Sequence, residues 1–318
     1  MKILVTGGAG FIGSNVVDAY IGAGHEVVVV DNLYSGKREN LNPKARFYLM
    51  DVRSEEVRKL FEHERPDCVN HHAAQMSVPA SVEDPIFDAD VNVRGFLNVL
   101  EAAKRHGTKK IIFISSGGAV YGDAREYPTG ETYTPQPLSP YAITKAVSEQ
   151  YLVFYNHQYG MDYTVLRYAN VYGPRQIPHG EAGVVAIFMD RLINKKPCTV
   201  YHYTEEPRGM TRDYCFVEDV ARANLLAVDR GGKGVYNIGT GVATHTSELF
   251  DSIYEAVRRR VTGFPLDLKT PMSAQARPGD LKRSCLNVSR AKEVLGWSAM
   301  TGLGDGLERT LKWRLTGC

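Results

Sequence analysis

Apolar positions in the first half of the chain fall into two alternating kinds of run. Short, β-branched stretches predict strands at KILVTG (2–7), EVVVVDN (26–32), RFYLMD (46–51), DCVNHHAA (67–74), KKIIFISS (109–116) and YTVLRYAN (163–170). The run Val27 to Val30 contains no polar alternate. Both faces of that strand are therefore expected to be buried, as in a parallel sheet. Stretches with a helical period lie between the strands, at Gly13 to Ala23, Ser54 to Glu64, Asp90 to His106 and Tyr141 to Tyr159. In the second of these, Val57, Leu60 and Phe61 share one face behind Ser54 and Glu56 in cap-like positions. In the third, Val93, Leu97 and Leu100 lead to a stop at Gly107. Strand–helix alternation joined by right-handed crossovers predicts an α/β fold with a doubly wound parallel sheet.

The second half changes character. Prolines at 174, 178, 197, 207, 265, 271 and 278 interrupt it, and its strands and helices are expected to be shorter and less regular. Segment CFVEDVARANLLAVDR (215–230) reads as an amphipathic helix and VYNIG (235–239) as a strand, together a return to the sheet. The expected division is a sheet domain at 1–168 with a return segment at about 214–237, and a smaller, interleaved C-terminal α/β domain at 169–213 and 238–318. No internal repeat is visible.

Composition narrows the function. The 318 residues are 43% apolar and 23% charged, which excludes a disordered or low-complexity chain. Lys plus Arg total 38 against 36 Asp plus Glu, a net charge of +2, so neither nucleic acid nor an anionic membrane is an expected partner. The apolar run at Ile3 to Val5 is too short for a signal peptide, and no stretch approaches a membrane span. Five scattered cysteines (Cys68, Cys198, Cys215, Cys285, Cys318) without a CxxC suit reduced thiols in a cytoplasmic protein.

The chemistry begins at TGGAGFIG (6–13), between the first strand and the first helix. Gly8, Gly10 and Gly13 satisfy G-x-G-x-x-G; Gly7, Gly10 and Gly13 equally satisfy G-x-x-G-x-x-G. Either spacing gives a tight turn, close backbone approach to a pyrophosphate and a helix N-terminus aimed at the anion. Asp31 closes the second strand 18 residues after Gly13, where a carboxylate bonds the adenosine ribose of a Rossmann-type fold and repels a 2′-phosphate. NAD is thus expected rather than NADP. Asp51, at the end of the third strand, reaches the adenine or caps its loop. YAITK (141–145) puts Tyr141 and Lys145 four residues apart on one helix face. A nearby ammonium and an oxidised nicotinamide are expected to favour the phenolate, which then takes a proton from a substrate hydroxyl. His71 and His72 have no third ligand spaced for a metal, so none is expected.

Together TGGAGFIG, Asp31, YAITK, LRYANVYGPR (166–175), RDY (212–214), NIGTG (237–241) and RPGD (277–280) resemble the extended short-chain dehydrogenase/reductase family, and within it the nucleotide-sugar 4-epimerases of the UDP-glucose type. The resemblance covers about residues 1–315. It implies enzyme-bound NAD, a UDP-sugar substrate, and inversion at C4 through a transient 4-keto sugar, with Tyr141 as acid/base and Lys145 holding the nicotinamide ribose. It implies cofactor contacts at Phe11, Ile12, Asn32, Val52, Ala73, Ala74, Gln75, Asn92, Ser115 and Tyr168, besides the glycines, Asp31 and Asp51. It implies substrate contacts at Asn170, at the diphosphate clamps Arg212 and Arg277, and at Asp280 for a ribose. A dimer formed through a helix bundle is also implied, with the tyrosine-rich 151–159 helix as one face.

The chain departs from that pattern at Gly117, where such enzymes carry a Ser or Thr whose hydroxyl bonds the sugar's O4. Ser116, a water or the backbone is expected to substitute. Gly118 and Ala119 stand where related 4,6-dehydratases carry an Asp-Glu pair, so elimination has no acid or base. Ser284, seven residues past Arg277, takes the place of a bulky Tyr in relatives that reject N-acetylated sugars. Its size leaves room for a 2-acetamido group. Segment 200–214 is either a lid with its own substrate contact or a surface insertion. Two rival readings stay open. One is a UDP-uronic acid 4-epimerase, with Arg175 as the cation near C6. The other is a non-catalytic, NAD-sensing protein on the same fold.

Overall fold

A computed structural model describes residues 1–178, 183–276 and 280–317. Its strands are β1 (Lys2–Thr6), β2 (Glu26–Asp31), β3 (Arg46–Leu49), β4 (Cys68–His71), β5 (Lys110–Ser116), β6 (Asp162–Tyr168), β7 (Asn170–Tyr172), β8 (Thr199–His202), β9 (Thr211–Phe216), β10 (Gly234–Ile238), β11 (Ala243–His245) and β12 (Met272–Gln275). The helices are α1 (Phe11–Gly22), α2 (Glu56–Glu64), α3 (Val78–Glu83), α4 (Pro85–Ala89), α5 (Gly95–His106), α6 (Pro140–Tyr159), α7 (Val184–Ile193), α8 (Val217–Asp229), α9 (Thr246–Arg260) and α10 (Leu303–Thr316).

Seven parallel strands form the main sheet in the order β10-β6-β5-β4-β1-β2-β3. The order reverses between β1 and β4, so the loops after these two strands diverge and open a crevice at the sheet's carboxyl edge. The apolar strand runs explain the sheet's place in the core. Ile3, Val5, Val27 and Val29 face one apolar cluster with Val16, Val17 and Tyr20 of α1 and Ala223 of α8. Leu4, Val28 and Val30 face the other, with Phe61 of α2 and Phe96 and Val99 of α5. Each of these strand residues is at most 2% exposed. Burial of one such side chain contributes on the order of 1.5 kcal/mol or more.

The expected strand at 163–170 divides. Residues 162–168 stay in the main sheet, Ala169 donates its amide to Ile238 O (2.8 Å), and β7 then pairs with β9 in a second sheet, β11-β9-β7. Cys215 and Phe216 end β9 rather than begin a helix, and the helix starts at Val217. The second half also corrects the expectation of short helices. Strands there have three to six residues, but α9 and α10 have 15 and 14. Its prolines lie outside these helices, so they do not shorten them. A third apolar cluster, including Phe188, Phe216, Phe250, Ile253 and Leu311, joins α7, α9 and α10 to the second sheet. Ala291, Leu295 and Trp297 pack instead into the main sheet's core. Among the described residues, no helix is long and apolar enough to cross a membrane.

Candidate active site

A cavity of roughly 440 Å³ follows the carboxyl ends of the main-sheet strands. Its floor is the turn after β1. Gly7 has φ +69°, donates its amide to Val30 O (2.7 Å), and lies so close to the β4 loop that a Cβ would sit 2.7 Å from Ala73 N. A Cβ on Gly13 would lie 2.2 Å from Gly7 O, so strand end and helix meet backbone to backbone. Gly7, Gly10 and Gly13 line the cavity, whereas Gly8 packs on Val29, which selects G-x-x-G-x-x-G of the two spacings. The first-turn amides of a helix have no intrahelical acceptor, and those of Phe11, Ile12 and Gly13 border the cavity. This floor fits a dinucleotide pyrophosphate.

One wall carries acids. Asp31, 7% exposed, accepts the amides of Ala9 (3.0 Å) and Leu33 (2.8 Å), while burial pushes its carboxyl up. Asp51 accepts Arg53 Nε, Nη2 and N and Asn32 Nδ2, each at 2.9 Å, and the guanidinium holds it well below the usual carboxylate range. Asn32 and Val52 line the same wall.

The opposite wall comes from β4, β5 and β6. Ala73, Ala74, Gln75, Ser115 and Tyr168 all line it. Asn92 does not. It is buried behind Gln75, accepting Gln75 N (2.9 Å) and donating to Gln75 O (3.0 Å), in a π-helical turn at Asp90–Arg94 where a regular helix start was expected. There it supports the residue in front. Ser115 donates to Glu149 (2.6 Å), which Arg167 neutralises. His71 Nδ1 lies 2.9 Å from Thr6 Oγ1 and His72 Nε2 lies 3.4 Å from the Tyr168 hydroxyl; burial pulls both imidazoles down, His72 to about 3.

Ser139 caps α6 by accepting Ala142 N, and Pro140 occupies the first turn. The next turn places Tyr141 and Lys145 together on the cavity. Burial pushes the Tyr141 phenol up to about 12, opposed by a hydrogen bond with Ser116. Lys145 is 5% exposed, is pulled down to about 8 by burial, and donates to Ile114 O (2.8 Å) with its ammonium 5.8 Å from the tyrosine ring centre. Among the chain's own groups burial is the largest influence on the phenol and favours its neutral form; the oxidised nicotinamide is the expected opposing charge.

The departure at position 117 has a packing cause. A Cβ on Gly117 would meet Leu286 Cδ1 at 2.6 Å, so the leucine fills the space a Ser or Thr would need. The next position would take a Cβ without a clash. A Cβ on Gly118 would have Asn170 Oδ1, Ser116 Oγ and Ser284 Oγ as its nearest neighbours, at 3.8 to 4.0 Å. Asn170 lines the cavity because β7 leaves the main sheet there; Gly117, Arg212, Asp280 and Ser284 do not line it. Arg212 donates to Thr211 O (2.9 Å) and faces Tyr127, Tyr203 and Asp280. Tyr203 donates its hydroxyl to Asp280 O, and Lys282 pairs with Glu205, which fastens the 203–206 turn to residues 280–282. Arg277 lies outside the described residues.

Two features escaped the sequence reading, the start of α7 and Asp88, and Arg175 stands differently from its expected place. The N-terminus of α7, at Val184 and Val185, reaches the cavity. Arg175 lines it too, but pairs with Asp18 of α1 (2.7 Å) instead of standing free beside a sugar. Asp88 is fully buried, and its i, i+4 spacing from Asn92 was the available signal. Among the described residues, no group of three or more His, Cys, Asp or Glu could hold a metal ion.

Comparison with known proteins bears on this geometry. The family model "NAD dependent epimerase/dehydratase" matches residues 3–239. The UDP-glucose 4-epimerase of Mycolicibacterium smegmatis is 43% identical over 319 residues, covering 98% of each chain. The crystal structure of the Thermotoga maritima UDP-glucose 4-epimerase with UDP-glucose superposes with a TM-score of 0.93 at 47% identity, covering 100% of this chain and 99% of that one. That of the Thermus thermophilus enzyme with NAD gives 0.92 at 44% identity over the full length of both. Glycine floor, paired Tyr141 and Lys145, and whole-chain similarity agree: the chain belongs to the NAD-dependent epimerase/dehydratase family.

Proposed function

We propose that the protein is a UDP-sugar 4-epimerase that interconverts UDP-glucose and UDP-galactose with bound NAD. The observation that carries this reading is the single cavity joining the Gly7–Gly13 floor to Tyr141, Lys145 and Asn170. The glycine floor and the α1 amides hold the pyrophosphate, Asp31 holds the adenosine ribose, and Lys145 the nicotinamide ribose. When bound, NAD supplies the hydride exchange at C4 of the sugar and a positive ring beside Tyr141. Tyr141 takes the proton of the C4 hydroxyl and returns it. Ser116, which lines the same cavity as Tyr141, supplies the hydroxyl missing at Gly117. Asn170, Arg212, Arg277 and Asp280 hold the nucleotide sugar, with residues 169–213 and 238–318 as its lobe.

The small Ser284, where relatives that reject N-acetylated sugars carry a bulky Tyr, favours a second substrate, UDP-GlcNAc, whose 2-acetamido group needs room. The uronate reading is less favoured, because Asp18 pairs with Nη2 of Arg175, although Nη1 is left without a partner. The non-catalytic reading leaves the Tyr141–Lys145 pair without a purpose. A homodimer is proposed through α6, whose Ile143, Val147, Val153 and Phe154 stand exposed. Four buried, unpaired cysteines suit a cytoplasmic setting.

The test is NMR of the purified protein, without added NAD, given UDP-glucose, UDP-GlcNAc or UDP-glucuronate separately. The 4-epimer of UDP-glucose is the expected product, and its absence sinks the reading. Tyr141→Phe should lose about 10²- to 10⁴-fold in turnover and keep its NAD.

A further inference from the structure

Two buried carboxylates act on Lys145 through space without an ion-pair contact: Glu149, one turn along its own helix, and Asp88 of α4, which is bonded to the adjacent Thr144. They are not equivalent. Glu149 is paired with Arg167, Nη2 at 2.5 Å and Nε at 3.0 Å. Asp88, 0% exposed, has only neutral donors: Gln75 Nε2 (2.8 Å), Asn92 Nδ2 (3.1 Å) and the Thr144 hydroxyl (2.9 Å). Burial pushes its carboxyl up, and these three bonds together with the Lys145 ammonium oppose that and favour the charged form. The other groups facing the ammonium are His71 and His72 of β4, both held neutral by burial, and the rings of Phe113 and Tyr141. Asp88 is therefore the one negative charge toward Lys145 that no cation neutralises among the described residues.

We propose that Asp88 is a positioning residue for the Tyr141–Lys145 pair: its carboxylate is the counter-charge to the Lys145 ammonium, and its three hydrogen bonds tie that charge to the residue before Lys145 and to the cavity wall at Gln75. Thr144 carries the link along α6, and Asn92 braces Gln75 from behind. The same charge opposes ionisation of Tyr141. Asp88 thereby sets the pH window in which the ammonium stays charged and the phenol can exchange its proton.

The catalytic consequence rests on the epimerase reading; the electrostatic one does not, so two measurements separate them. The first is an NMR titration of ¹³C-labelled lysine in the protein as purified, with Lys145 assigned by its loss in Lys145→Arg. Asp88→Asn, and Asp88→Ser as a second neutral variant, should lower the Lys145 midpoint by about one pH unit. Asp88→Glu, which keeps the charge, should restore most of it. An unchanged midpoint in the neutral variants, or a drop in Asp88→Glu as large as theirs, overturns the proposal. The second is the pH profile of UDP-hexose epimerisation, in which both limbs should move to lower pH in Asp88→Asn. A merely structural role would lower activity at all pH values without moving the limbs, and this outcome also overturns the proposal. A wild type that epimerises nothing would sink the functional reading and leave the titration standing.

Discussion

The two sides of the cavity are built on different principles. The cofactor side is backbone. Gly7, Gly10 and Gly13 bring a strand end, a helix start and the β4 loop to within van der Waals contact, with both faces of the sheet sealed in apolar clusters. The side proposed for the sugar is side chains, Ser116, Tyr141 and Asn170 among them, the last reached only after the chain leaves the main sheet at Ala169. A wall of backbone has almost no freedom to vary, because any Cβ collides. A wall of side chains can change its ligand by exchanging one group for another while the strands stay in place.

The contrast can be broken at three glycines. The largest effect is expected for Gly13→Ala, whose Cβ would stand 2.2 Å from Gly7 O, a clash that no side-chain rotation relieves. The expected loss is about 3 kcal/mol or more, read as a lower thermal midpoint together with loss of bound NAD. Retention of NAD and of stability would mean that the floor is not a rigid backbone contact. Gly117→Ser restores the hydroxyl common in similar enzymes but pushes on Leu286 at 2.6 Å. It should cost about 1–3 kcal/mol, and Leu286→Ala in the same chain should recover part of that loss if the clash is the cause. Denaturant melts of the single and double variants decide it. The smallest effect on stability belongs to Gly118→Ala, where a Cβ meets nothing nearer than 3.8 Å. Its melting should stay within about 0.5 kcal/mol of wild type, while its KM for UDP-GlcNAc should rise more than that for UDP-glucose. Equal changes in both would remove the surroundings of Gly118 and Ser284 as the place of the acetamido group.

Much of the cofactor side was legible in the sequence for the same reason that it is rigid. Close backbone approach needs glycine, glycine has no substitute there, and the spacing of Gly7, Gly10 and Gly13 is therefore written in the chain. Continuous burial needs apolar residues on both strand faces, so Val27 to Val30 announces itself. Tyr141 and Lys145 are legible because a helix converts a spacing of four into one face. The sugar side was harder to read. Nothing local marks Leu286 as the neighbour of Gly117, since 169 positions separate them. Asn92 carries the right residue type for a cavity wall, yet a π-turn and a buried carboxylate turn it to the rear.

Chain order and residue type alone determined the seven-stranded parallel sheet, the glycine floor, the acid at the end of β2 and the Tyr141–Lys145 spacing, because each follows from short-range geometry with a period of two, of 3.6 or of a fixed turn. Only the tertiary structure decided the charge state and the company of that pair. Burial lifts Tyr141 to about 12 and pulls Lys145 to about 8. Asp88 arrives from 57 residues away without a cation of its own. Those outcomes depend on which groups exclude water and which charges face one another across the core, and both quantities exist only once the chain has folded.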